Sequence, residues 1–160
     1  MKRNYFVRIL CLTLILMLGI MPICSAYAAS KAYILRVNAN YVHVRDRDGD
    51  IMSSVRKGTR VLYWGERAGD MCKVVNSSGR TGYIYKAYLS SYGVVNKSQV
   101  AMVTSKAPLY RKSGSSLKKS GTAKAGTTLL VYQVNGSWAY VRNFNGTGAY
   151  IRTNYLKKVF

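Results

Sequence analysis

Downstream of residue 30 the apolar and polar positions follow a strand pattern. Short runs rich in β-branched and aromatic residues include Val61-Leu62-Tyr63-Trp64, Thr128 to Val134 and Trp138 to Val141. Clusters of Gly, Asn and Ser separate them, as at Asn76-Ser77-Ser78-Gly79 and Asn143-Phe144-Asn145-Gly146. Such spacing of short strands and turn signals predicts an all-β barrel or sandwich. No stretch of this region sustains a helical apolar period over three turns.

Strand parity then sorts individual side chains, because successive residues point to opposite faces. Along Trp138-Ala139-Tyr140-Val141-Arg142, Ala139 and Val141 share one face while Trp138, Tyr140 and Arg142 share the other. A charge does not sit unpaired in a small core, so Arg142 marks the outward side. Along Ala149-Tyr150-Ile151-Arg152, Tyr150 and Arg152 turn outward and Ile151 inward. If these two strands are neighbours, aromatic rings and two arginines form one exposed surface.

The strand pattern is also duplicated. Gly-x-x-x-x-Val-x-Asn-x-x-Gly-x-x-x-Tyr-Ile-x-x-x-Tyr-Leu runs from Gly69 to Leu89 and again from Gly136 to Leu156, without a gap, at an offset of 67 residues. Upstream, Lys57-Gly58-Thr59 matches Ala125-Gly126-Thr127 at an offset of 68, the slip falling in the turn between Trp64 and Gly69. Further back, Val42-His43-Val44-Arg45 matches Pro108-Leu109-Tyr110-Arg111 more weakly. Self-similarity of this kind means a tandem array of one small module. The expected division is residues 29–93 and 94–160, with a joint around Asn96-Lys97-Ser98-Gln99 too short to be a free linker, so the modules should touch.

The first residues read differently. Lys2, Arg3 and Arg8 precede an apolar run from Ile9 to Cys24, then Ala26-Tyr27-Ala28. This is the order of a secretion signal, cleaved after Ala28. The run is short of the roughly 20 residues that span a bilayer, so no membrane span is expected once the signal, residues 1–28, is removed. Cys11 and Cys24 lie within it, which leaves Cys72 without an intrachain disulfide partner.

Charge narrows the function. The chain has 25 Lys+Arg against 5 Asp+Glu, and all five acids (Asp46, Asp48, Asp50, Glu66, Asp70) fall in the first copy. The second copy has eleven cations from Lys97 to Lys158 and no acid. A field of that sign concentrates polyanions. Outside a cell these are anionic wall polymers, acidic lipids or stray nucleic acid, and export argues against nucleic acid as the working partner.

Catalytic and metal chemistry find little support. Cys72 shares its face with Val74 and reads as a small core residue; a nucleophilic role would need a histidine beside it, and the chain has one, His43. Asp46-Arg47-Asp48-Gly49-Asp50 resembles a calcium loop only briefly, because the Gly and Glu that such a loop needs at positions six and twelve are Ile51 and Lys57. With one Cys and one His beyond the expected signal there is no zinc set. No cofactor and no catalytic residue are assigned.

The ordered fragments resemble the bacterial SH3-like (SH3b) family. In the first copy they are VHVR (42–45), KGT (57–59), GDMCKV (69–74), GRTGYI (79–84) and YL (88–89); in the second, LYR (109–111), AGTTL (125–129), GSWAYV (136–141), GTGAYI (146–151) and YL (155–156). Met71 and Tyr83 stand where the family favours Trp, and Ala149 where its turn carries a second Gly. The resemblance implies two tandem SH3-like β-barrels behind an N-terminal signal helix. It also implies a non-enzymatic role in binding the bacterial cell wall, through peptidoglycan peptides or an anionic wall polymer, or else a secreted protein partner. The expected ligand surface is Trp138, Tyr140, Arg142, Tyr150 and Arg152 in the second module, with Met71, Lys73, Tyr83 and Tyr85 a weaker version in the first. Aromatic faces stack on sugar rings or peptide planes, while arginines hold carboxylates or phosphates. Packing of the same aromatics against the neighbouring module is the competing use.

Overall fold

The computed structural model describes residues 30–160; the expected signal segment lies outside the described residues. Fourteen strands form two seven-stranded sheets. The first holds β1 (Lys31–Val37), β2 (Val42–Arg45), β3 (Ile51–Val55), β4 (Arg60–Ala68), β5 (Met71–Val75), β6 (Thr81–Tyr85) and β7 (Leu89–Asn96). The second holds β8 (Val100–Val103), β9 (Ala107–Ser113), β10 (Ser116–Ala123), β11 (Thr128–Asn135), β12 (Trp138–Arg142), β13 (Gly148–Arg152) and β14 (Leu156–Lys158). The pairing orders are β3-β2-β6-β5-β4-β1-β7 and β10-β9-β13-β12-β11-β8-β14, the same order advanced by seven. Every pair is antiparallel. The sheets divide at a 3-10 turn, Lys97–Gln99, so the position 93/94 drawn from sequence falls inside β7.

Duplication extends to single hydrogen bonds, which explains the motif. Asn76 and Asn143 each hold a four-residue turn: the amides of Arg80 and Thr147 donate to their side-chain oxygens at 2.9 Å. Gly79 and Gly146 close those turns at φ +82° and +86°, where a side chain would be strained. A short polar side chain that bonds its own turn, followed by a residue free to be left-handed, is the reason for Asn-x-x-Gly. Likewise, the amides of Gly58 and Gly126 donate to the carbonyls of Val37 and Val103, both at 2.8 Å.

The apolar residues form three clusters. One belongs to the first sheet (Val37, Val42, Val61, Tyr63, Cys72, Val74, Ile84) and one to the second (Val103, Ala107, Ala123, Leu129, Ala139, Val141, Ile151). The third spans the joint: Ala32, Ile34, Leu62 and Val75 meet Val100, Leu130 and Phe144. The expected contact between modules is therefore an apolar one, beside two separate cores.

Candidate functional site

Parity places the second module's residues as its alternation requires. Ala139, Val141 and Ile151 are buried, and Arg142 and Arg152 are exposed. Registers put Trp138 opposite Arg152, and Tyr140 opposite Tyr150. The row continues: Tyr150 faces Tyr110 on β9, and Tyr110 faces Lys119 on β10. One surface thus crosses four strands, with Tyr140, Tyr150, Tyr110 and Lys119 in line.

The rings are half-buried rather than free, because they cover one another. Tyr140 and Tyr150 lie tilted at 5.2 Å between centroids, and Tyr110 meets Trp138 edge-on at 5.1 Å. Two of them, Trp138 and Tyr140, also carry the arginines. The Arg152 guanidinium carbon sits 4.2 Å from the centre of the Trp138 ring, and an Arg152 amine donates to Ser137 Oγ at 2.6 Å. Arg142 lies 4.9 Å from the Tyr132 ring and 5.6 Å from that of Tyr140, and its Nε donates to the Tyr140 hydroxyl at 3.3 Å. That hydrogen bond raises the Arg142 pKa above its ordinary value. The expected open rings are thus partly covered: guanidiniums lie beside Trp138 and Tyr140, so positive charge accompanies the aromatic surface. Cation–π contact of this kind is worth about 0.5–1 kcal/mol at exposed sites.

Gly148 is part of this geometry. A Cβ there would meet the Tyr140 hydroxyl at 2.2 Å, so the ring lies across β13 only because position 148 has no side chain. The adjoining hairpin adds charge. Arg111 stands directly opposite Lys118, and Lys112 opposite Leu117. Like charges placed opposite each other destabilise a sheet, and no acid in this module relieves them.

The first module's counterparts differ in kind. Met71 pairs with Tyr85 and Lys73 with Tyr83, sharing a face. Lys73 is already neutralised by Glu66 at 2.6 Å. That bond, and a 2.7 Å bond from the Trp64 indole nitrogen, hold the Glu66 pKa below its ordinary value. Tyr85 opens instead on a 190 Å³ cleft with Tyr41, His43, Arg45 and Tyr88.

Two residues of the surface were missed in the sequence, Tyr110 and Lys119. Sequence alignment of VHVR with PLYR sets Tyr110 against Val44. The registers instead set Arg45 opposite Tyr83 and Tyr110 opposite Tyr150, so Arg45 is the equivalent of Tyr110. Pairing across strands, absent from a linear alignment, was the signal needed.

Cys72 is buried on β5, and burial pushes its thiol pKa up. His43 is exposed on β2. The Asp46 carboxylate accepts from the amides of Asp48, Gly49 and Asp50 at 2.9–3.0 Å, so it caps its own turn.

No family model matches the chain, nor does any curated protein. Among solved structures, NlpC2 and NlpC1 from Trichomonas vaginalis are each 14% identical over 79% of this chain, with TM-scores of 0.34. An NlpC/P60 family protein from Bacillus cereus is 18% identical over 80%, with a TM-score of 0.33. The chain spans 48%, 45% and 56% of those three chains, about half their length. Likenesses at this level carry no argument about what the chain does.

Proposed function

We propose that this is an exported, non-enzymatic protein of two SH3b-like barrels that binds the bacterial cell wall. Its second module carries the ligand surface, with Arg142 and Arg152 as the anion-holding groups, Trp138 and Tyr140 as their supports, and Tyr150 packed against Tyr140. The observation behind this reading is that both guanidiniums are held beside rings, 4.2 Å from the centre of Trp138 and 5.6 Å from that of Tyr140, in a module with no acid to pair them. A guanidinium held by a ring and a hydrogen bond has little freedom left to lose on binding, and its remaining N–H donors suit phosphate or carboxylate oxygens. The first module, with Lys73 tied to Glu66, contributes less to anion binding.

Non-enzymatic action is part of the proposal. Its support is the buried thiol of Cys72, held in the unreactive form, and the exposed lone His43. The ligand is an anionic wall polymer or the carboxylates of peptidoglycan peptides. Retention on purified sacculi, with and without their anionic polymer, tests this across a salt series. Loss of retention when the polymer is stripped, with a steep fall in salt, is the expected result. Undiminished retention by an Arg142→Ala/Arg152→Ala variant would overturn the site.

A further inference from the structure

Duplication lets each module serve as a control for the other, and their edge strands differ. β3 pairs only with β2, and β10 only with β9, so each ends its sheet. Registers align them residue by residue. Val55, Ser54 and Ser53 face Val42, His43 and Val44, then a bulge precedes Ile51 opposite Arg45. Ala123, Thr122 and Gly121 face Ala107, Pro108 and Leu109, then a bulge precedes Lys119 opposite Tyr110. Ile51-Met52-Ser53 therefore occupies the place of Lys119-Ser120-Gly121.

Natural sheets guard their edges with charge, lysine above all. Module 2 follows that rule with Lys118 and Lys119. In module 1 the strand is Ile-Met-Ser-Ser-Val, uncharged throughout, with Ile51 57% and Met52 61% exposed. Since the fold accepts lysine and serine at these positions in module 2, the apolar pair is not a demand of the fold. Beside β3 lies a 310 Å³ groove lined by Val44, Ser53, Val55, Val74, Gly82 and Arg80 among others. The corresponding space in module 2 is 110 Å³.

We propose that β3 is a docking edge for an extended, acidic segment of another polypeptide. The segment adds a strand alongside β3, seats an apolar side chain in the groove, and brings a carboxylate to Arg80. An edge strand's outward N–H and C=O groups are satisfied by another backbone, with pockets reading alternate side chains. Among the described residues the one ion pair is Lys73 with Glu66, so Arg80 has no acid of its own. A second copy of this chain fits poorly, because the whole chain has a formal charge of +20, reduced only by Lys2, Arg3 and Arg8 when the signal is removed, and two such copies repel. This inference is independent of wall binding, which uses the other module.

Panning phage-displayed random peptides against the protein tests it. Recovered peptides should alternate apolar and polar residues, carry Asp or Glu, and slow amide exchange in β3. Their affinity should fall about tenfold or more for Ile51→Lys/Met52→Ser, a variant that copies the module 2 edge, and also for Arg80→Ala. Both variants change exposed side chains, and unchanged circular dichroism would establish that they fold. Recovery of no peptide, or of peptides that bind the double variant equally well, would overturn the proposal. So would a dimer of the protein that the double variant abolishes, since the occupant would then be a second copy.

Discussion

Arg152 on Trp138 and Arg142 on Tyr140 show how a residue's neighbour sets its use. Each arginine is exposed, yet each is held by a ring at 4.2 Å or 5.6 Å and by a hydrogen bond. Removing the ring should therefore weaken binding through the arginine. Trp138→Ala and Arg152→Ala are each expected to cost about 1 kcal/mol of sacculus binding, and the double variant less than their sum; a binding cycle on purified sacculi measures this. Gly148→Ala is expected to displace the Tyr140 hydroxyl, a movable side-chain end, so affinity should fall while the melting temperature holds. Cys72 gives a pH prediction. Burial raises its folded pKa above the unfolded thiol value of about 8.5, so the fold favours the neutral thiol. Its contribution is present below that value and is lost as pH rises through the folded pKa. Cys72→Ala should flatten the alkaline edge of a stability profile followed by thermal melts.

At the scale of elements, the duplicated turns carry the motif's meaning. Asn76 and Asn143 are capped turns, and the strands between glycines alternate as parity requires. These features were legible because a turn's chemistry and a strand's period are local. Tyr110 and Lys119 were not, since only β9–β13 and β9–β10 pairing brings them to the site. Half-burial of the rings was likewise invisible, as it depends on partners from different strands. Gly79 tests the turn and the joint together. Its φ is +82°, and a Cβ there would lie 2.0 Å from the Gly126 carbonyl oxygen. Backbone cannot move aside as a side-chain tip can, so Gly79→Ala should destabilise by about 1–3 kcal/mol, read by denaturant unfolding.

The whole molecule is more than two modules in series. The joint uses matching positions from both copies. Leu62 and Leu130, at an offset of 68, both lie in it, as do Ile34 and Val100 at an offset of 66. The amide of Thr128 donates to the Ser77 carbonyl, while the Arg60 guanidinium donates to the Phe144 carbonyl, the equivalent positions exchanged. Such reciprocity is the mark of an isologous interface, here made within one chain. Trp64 adds an edge-on contact to Phe160 at 5.3 Å. With an apolar joint of this kind the two sheets should unfold together. Leu130→Ala removes a side chain 2% exposed and should cost about 2–5 kcal/mol, with the single calorimetric transition splitting into two as the modules part.

From the chain's letters alone came the β class, the twofold repetition, the Asn-x-x-Gly turns and the outward facing of Arg142 and Arg152. Period, turn chemistry and charge act between near neighbours, so order along the chain suffices to reveal them. Phe144 marks the other side: a phenylalanine inside a polar turn, yet buried at 2% exposure in the joint. Its burial, the row completed by Tyr110, and the unguarded edge at Ile51 and Met52 were decided by tertiary structure. Each depends on which surface lies opposite, and that is settled by strand order and packing between residues far apart in sequence.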